Sequence, residues 1–108
     1  MKRAAINIGG KLIGNGIHPM IIAEMSGNHN GNLERALSIV HAAASNGADA
    51  IKIQTFTPDT LTINSQRQEF FIDDPESLWH GRRLWDLYAE AHTPWEWHKP
   101  IFESARRE

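Results

Sequence analysis

The sequence contains no cysteine. Disulfides and thiolate metal sites are therefore excluded, and a reducing compartment is a natural home. No apolar run approaches the roughly 18 residues that a membrane-spanning helix needs. The chain starts Met1-Lys2-Arg3, but the apolar stretch of a signal peptide does not follow, so a cytoplasmic location is expected. An excess of charge is missing too. Eleven Lys and Arg oppose 13 Asp and Glu, for a net charge of −2, which offers no basic field to nucleic acid or an anionic membrane. Neither is expected as a partner. Low-complexity segments and domain linkers are also absent. What is present is ordinary for one small globular domain: 108 residues, 41% hydrophobic and 22% charged.

The pattern along the chain is that of an α/β protein. Residues 4–13 read as a β-hairpin, with Gly9-Gly10 suited to the positive φ of a tight turn. Gly14, Asn15, Gly16 and Pro19 mark a loop, and residues 20–24 form a short buried strand. Residues 32–46 carry Leu33, Ala36, Leu37, Val40 and Ala44 on one helical stripe. Asn32 is placed to cap that helix, Glu34 suits its positive first turn, and Asn46-Gly47 stops it. A second strand, residues 48–55, follows at once. Strand, helix and strand over residues 20–54 make a βαβ unit with parallel pairing. Residues 55–92 then form a long polar connection with a short helix over 78–91, which Gly81 weakens. Thr93 as N-cap, Pro94 at the first position and Glu96 as capping-box partner open another helix over residues 93–108. Two short strands that end in polar groups match the rim of a (β/α)8 TIM barrel. The expected fold is the opening portion of such a barrel, preceded by the hairpin and not closed within this chain. The last helix has no stop signal by Glu108, so a longer parent is expected.

Strand parity selects the chemical residues. Side chains alternate with period two. Met20, Ile22 and Glu24 share one face; Ala50, Lys52 and Gln54 share another, opposite Ile51 and Ile53. With the isoleucines under the helices, Lys52 and Gln54 point inward and Glu24 can join them. A lysine in an apolar strand needs an anion, because an unpaired buried charge is costly. A phosphate or carboxylate of a small substrate serves, and so does Glu24 in an ordinary rim ion pair; the spacing leaves both open. Asn28, His29 and Asn30 follow the first strand and suit substrate hydroxyls, or simply a good turn. His92 and His98 do not share a helix face and read as surface or supporting residues. Trp95 and Trp97 read as packing residues, and Arg82-Arg83 as a solvated face that could reach an anion.

Three runs, IIAEMSGNHNG, GADAIKIQTFTPDTLT and LYAEAHTPWEWH, together resemble the start of the sialic acid synthase family, above all its pseudaminic acid synthase branch. The resemblance covers nearly the whole chain. It implies condensation of phosphoenolpyruvate with an amino-sugar aldehyde, 2,4-diacetamido-2,4,6-trideoxy-altrose for this branch, to give pseudaminic acid and phosphate. It further implies a divalent metal, Mn or Mg, in the full-length parent, with ligands outside this chain, and a parent homodimer. By the same resemblance Glu24 is the catalytic residue at the sugar end and Lys52 contacts phosphoenolpyruvate. Asn28, His29 and Gln54 bind substrate, and Thr55 and Phe56 line the sugar pocket. The isolated chain is expected to be inactive. An N-acetylneuraminate or legionaminate synthase, or a non-catalytic βαβ module, stands as the alternative.

Overall fold

The computed structural model describes residues 4–108; the basic start Met1-Lys2-Arg3 lies outside it. Strands β1 (Ile6–Ile8) and β2 (Lys11–Ile13) pair antiparallel. Gly9 and Gly10 turn the chain between them with φ of 58° and 88°, a conformation that a side chain would strain. Strand β3 (Ile22–Glu24) pairs parallel with β4 (Ala50–Lys52), and the register places Glu24 opposite Lys52. Both strands are shorter than the apolar runs that contain them. The ladder continues one step at each end: the Ile21 carbonyl accepts the Asp49 and Ala50 N–H groups at 2.8 and 3.2 Å, and Met25 N–H donates to the Lys52 carbonyl at 3.0 Å.

Helix α1 (Leu33–Ser45) joins the two strands. The Asn32 side chain accepts the Arg35 N–H at 2.9 Å, which satisfies one of the free donors of the first turn. At the other end Ala48 N–H reaches the Ala43 carbonyl and Gly47 N–H the Ala44 carbonyl, with Gly47 at φ 89°. This is the Schellman-type closure that glycine permits. Ala36 and Val40 of the apolar stripe are buried with Met25 and Ile101; Leu33, Leu37, Ile51, Ile53 and Trp97 pack around them. Ile51 and Ile53 thus face the helices, and Ile22, Glu24 and Lys52 face away.

The second half departs from its sequence reading in three places. Residues 55–78 contain helix α2 (Pro58–Leu61) and a 3-10 turn (Gln68–Phe70). The helix expected over 78–91 is only α3 (Leu84–Ala91). Gly81 takes φ 81°, and residues 71–83 fold into a narrow ribbon, with Gly81 N–H donating to the Ile72 carbonyl and Ile72 N–H to the Arg82 carbonyl. The helix expected from Thr93 starts instead with a 3-10 turn (Trp95–Trp97) and becomes α4 at His98–Arg107. Thr93 is fully buried and its hydroxyl has no partner, so it does not cap. Trp97 packs at the core, but Trp95 is 76% exposed, which corrects the packing role expected for it. Helix α4 lies against α1.

One anchor joins hairpin and sheet. The Asp49 carboxylate accepts the Ile21 N–H at 2.8 Å and a bond from the Lys11 ammonium. The backbone donor first, and Lys11 second, hold this carboxyl below the usual carboxylate range.

Candidate functional site

Two polar features adjoin at the C-terminal ends of β3 and β4. The first is the exposed sheet face. There Lys52 Nζ donates to Glu24 Oε1 at 2.7 Å, and both side chains are more than half exposed. An ion pair in that setting contributes little to stability. It leaves an ammonium and a carboxylate side by side at the strand ends, available to a ligand.

The second feature is a cleft of about 680 Å³ beyond the strand ends. Ser26, Gly27, Asn28 and Asn30 supply one side, from the loop after β3. Gln54 and Phe56 continue from β4, and Trp79, Arg82, Tyr88 and Glu90 close it from the ribbon and α3. Local bonds hold the loop in shape. Asn28 N–H donates to the Met25 carbonyl at 3.1 Å, and Arg35 Nε donates to the Asn28 carbonyl at 2.7 Å. Ser26 and Asn30 each sit at φ 52°, where asparagine is tolerated better than most residues. Gly27 lies against α3: a Cβ there would approach the Ala91 Cβ to 3.0 Å.

The residues singled out in the sequence divide between four environments. Asn28, Gln54 and Phe56 line the cleft, and Glu24 and Lys52 occupy the adjoining sheet face. Thr55 points elsewhere; its hydroxyl meets His98 Nε2 at 2.5 Å. His29, expected to contact substrate, is fully buried. Its Nδ1 accepts the Gly31 N–H at 3.0 Å, and its ring stands edge-on to Trp97 with centroids 5.2 Å apart. Because Nδ1 accepts, the ring's single proton sits on Nε2, which makes no well-formed hydrogen bond but faces the Ala91 and His92 backbone, whose carbonyls partly offset the effect of burial. Burial lowers the His29 pKa from its ordinary value. The residue is therefore a neutral pillar beneath the loop, and it bears on the cleft only through Asn28 and Asn30.

Sequence reading missed one feature of the cleft. Arg82 Nη1 and Nη2 grip Glu90 Oε2 and Oε1 at 2.9 and 2.7 Å. Those bonds raise the Arg82 pKa and lower that of Glu90. The two lie eight positions apart, on the ribbon and on α3, so no helical spacing announces them. Arg83, grouped with Arg82 in the sequence, instead binds Asp86 and Asn64. Phe56 meets Tyr88 edge-on, centroids 5.8 Å apart, which fixes the aromatic wall.

Among the described residues no group of three or more His, Cys, Asp or Glu side chains is arranged to hold a metal ion. Glu24, the carboxylate at the strand ends, is already engaged by Lys52. The described side chains do not by themselves fit a metal centre.

Comparison with known proteins places the chain among relatives. The model of the NeuB family matches residues 39–108. The pseudaminic acid synthase of Campylobacter jejuni is 56% identical over 88 residues, 82% of this chain and 25% of that protein. The pseudaminic acid synthase of Helicobacter pylori is 45% identical over 89 residues. The crystal structure of the spore coat polysaccharide biosynthesis protein SpsE from Bacillus subtilis superposes on 96% of this chain with a TM-score of 0.62 and 32% identity. The chain spans about a quarter of the length of these relatives.

Proposed function

The chain belongs to the NeuB family, and from that premise we propose that it forms the opening part of a pseudaminic acid synthase. The observation that carries the proposal is the identity to pseudaminic acid synthases over most of the chain. In this reading β3, α1 and β4 are the first βαβ unit of a (β/α)8 barrel, and the exposed face with Lys52 and Glu24 turns toward the barrel interior. The parent condenses phosphoenolpyruvate with 2,4-diacetamido-2,4,6-trideoxy-altrose. A bond forms between C3 of phosphoenolpyruvate and the aldehyde carbon, water adds at C2, and phosphate leaves by cleavage of its carbon–oxygen bond.

Each residue has a part that its surroundings support. Lys52 trades Glu24 for an anionic group of phosphoenolpyruvate, a charge-assisted bond for which its free rotation suits it. Glu24, released, accepts a hydroxyl proton of the sugar or assists its transfer. Asn28 and Gln54 offer amides to sugar hydroxyls, and Phe56 gives the ring an apolar wall. Ligands for the divalent metal of the parent, and the contacts that make it a homodimer, would come from residues outside this chain. No helix among the described residues is long and apolar enough to cross a membrane, which suits a cytoplasmic enzyme fed by phosphoenolpyruvate.

The test is made on the full-length protein that carries this sequence. Supplied with phosphoenolpyruvate and the diacetamido-altrose sugar, it should release phosphate and form a nine-carbon sugar acid of the expected mass. Turnover only with the sugars that lead to N-acetylneuraminate or legionaminate would reassign it within the family. Silence with every amino sugar would end the synthase reading.

A further inference from the structure

We propose that the Arg82–Glu90 pair recognises an acetamido group of the sugar and so determines which sugar is accepted; this deepens the synthase reading and rests on it. Four observations converge. The pair lines the same cleft as Asn28, Gln54 and Phe56. It is held firmly, because Arg82 lies on the ribbon fixed by the Ile72 N–H bond to the Arg82 carbonyl, and Glu90 belongs to α3. Its two bonds occupy part of each group's capacity. A guanidinium has five N–H donors and a carboxylate about four acceptor positions, so donors and acceptors remain on both. Lastly, the pair is partly exposed, 36% for Arg82 and 66% for Glu90, so its worth to folding is small and the fold does not require it.

The chemistry selects the ligand. A secondary amide presents one N–H donor and one carbonyl acceptor, side by side. A guanidinium beside a carboxylate offers the complementary pair: N–H to the carbonyl, carboxylate oxygen to the N–H. The acetamido methyl then finds the rings of Trp79 and Tyr88 on the same wall. A phosphate or carboxylate fits poorly, because Glu90 already cancels the Arg82 charge and would repel it. The anion has its own cation in Lys52, on the adjoining face. Charge thus divides the substrates, with phosphoenolpyruvate at Lys52 and the neutral sugar at Arg82–Glu90.

The experiment measures both Michaelis constants of the full-length protein for wild type, Glu90→Gln and Arg82→Lys. The second variant keeps the charge but loses the planar fork. Thermal melting checks that each remains folded. Both variants should raise KM for the diacetamido sugar about 10- to 100-fold, the range for a lost bond to a charged group, and leave KM for phosphoenolpyruvate within about twofold. A sugar with hydroxyls in place of its acetamido groups should be used poorly by wild type and lose little further in either variant. A wild type active on the diacetamido sugar, with variants that match it or that shift phosphoenolpyruvate alone, would overturn the pair's role and spare the synthase reading. A wild type that turns over no amino sugar would overturn both.

Discussion

Lys52 and Glu24 neutralise each other at 2.7 Å, and under the proposed reaction each must release the other to do its work. Replacing either therefore has an asymmetric effect. Lys52→Ala removes the cation for phosphoenolpyruvate and should lower kcat/KM for it about a hundredfold or more, the scale of one lost electrostatic stabiliser; kinetics near wild type would remove Lys52 from the site. Glu24→Gln should lower kcat with KM for phosphoenolpyruvate nearly kept, and a change confined to that KM would exchange the two roles. Parity made this pair legible, because period-two alternation is rigid and Ile51 and Ile53 were needed for the helices. His29 was not legible in the same way. Loop polarity suggested a ligand contact, whereas burial is decided by Trp97, 68 positions away, whose ring packs edge-on against it. The buried ring carries a pH signature. Its pKa is lowered from 6.5 by burial, so as pH falls through 6.5 the unfolded chain takes up a proton that the folded one refuses. Stability at this site is fully present above pH 6.5 and declines as pH drops toward the folded pKa, below which the loss levels off. His29→Asn keeps an acceptor for the Gly31 N–H and cannot titrate. Urea unfolding of the full-length protein across this range should show a shallower acid decline for the variant; parallel curves would mean that His29 contributes no such linkage.

Helix α1 and helix α4 show what a cap motif can and cannot announce. Asn32 caps α1 because its side chain is free to turn back on the Arg35 N–H, and its own N–H fastens the loop through the His29 carbonyl at 3.0 Å. The sequence signal and the structure agree there because every partner is local. Thr93-Pro94-Trp95-Glu96 carries an equally good local signal, yet Thr93 N–H goes to the Gln54 carbonyl at 2.9 Å and its side chain is buried. A contact 39 positions away claims the residue first, and the chain enters α4 through a 3-10 turn. The ribbon of residues 71–83 was illegible for the same reason, since its Phe71–Arg83 bridge joins residues without strand-like alternation. Capping energies follow from this difference. Asn32→Ala should cost about 1 kcal/mol, seen as a lower urea midpoint with an unchanged slope. A Thr93→Ala change removes no cap and should leave the N-terminal end of α4 as protected in hydrogen exchange as before. Equal fraying of both helices would show that Thr93 caps after all.

At the scale of the whole molecule, four apolar residues are fully or nearly buried among the described residues, Met25, Ala36, Val40 and Ile101, a small core for a domain of this size. The radius of gyration is 17.7 Å, against about 13 Å for a compact domain of this length. Ile6, Ile8, Leu12, Ile21 and Ile22 are each between 45% and 57% exposed. Ile6, Ile8 and Leu12 lie on the hairpin, Ile22 lies on the sheet face opposite the helices, the side that carries Lys52, and Ile21 lies just before that strand. Each described sheet has two strands, so each strand keeps an open edge, and unpaired edges beside exposed apolar surface favour self-association. The α/β order and the parallel pairing could be inferred from sequence; this imbalance of surface could not, since it depends on which faces find partners. If the exposed face is the inner wall of a barrel, the remaining three quarters of a relative's length is what covers it. The 108-residue chain alone should then bind a hydrophobic dye, melt without a cooperative transition and associate as its concentration rises. The full-length protein should lose the dye signal and melt cooperatively. A sharp calorimetric transition from a dye-silent, monomeric 108-residue chain would instead mean that this small core suffices, and that the exposed face with Lys52 awaits no further strands.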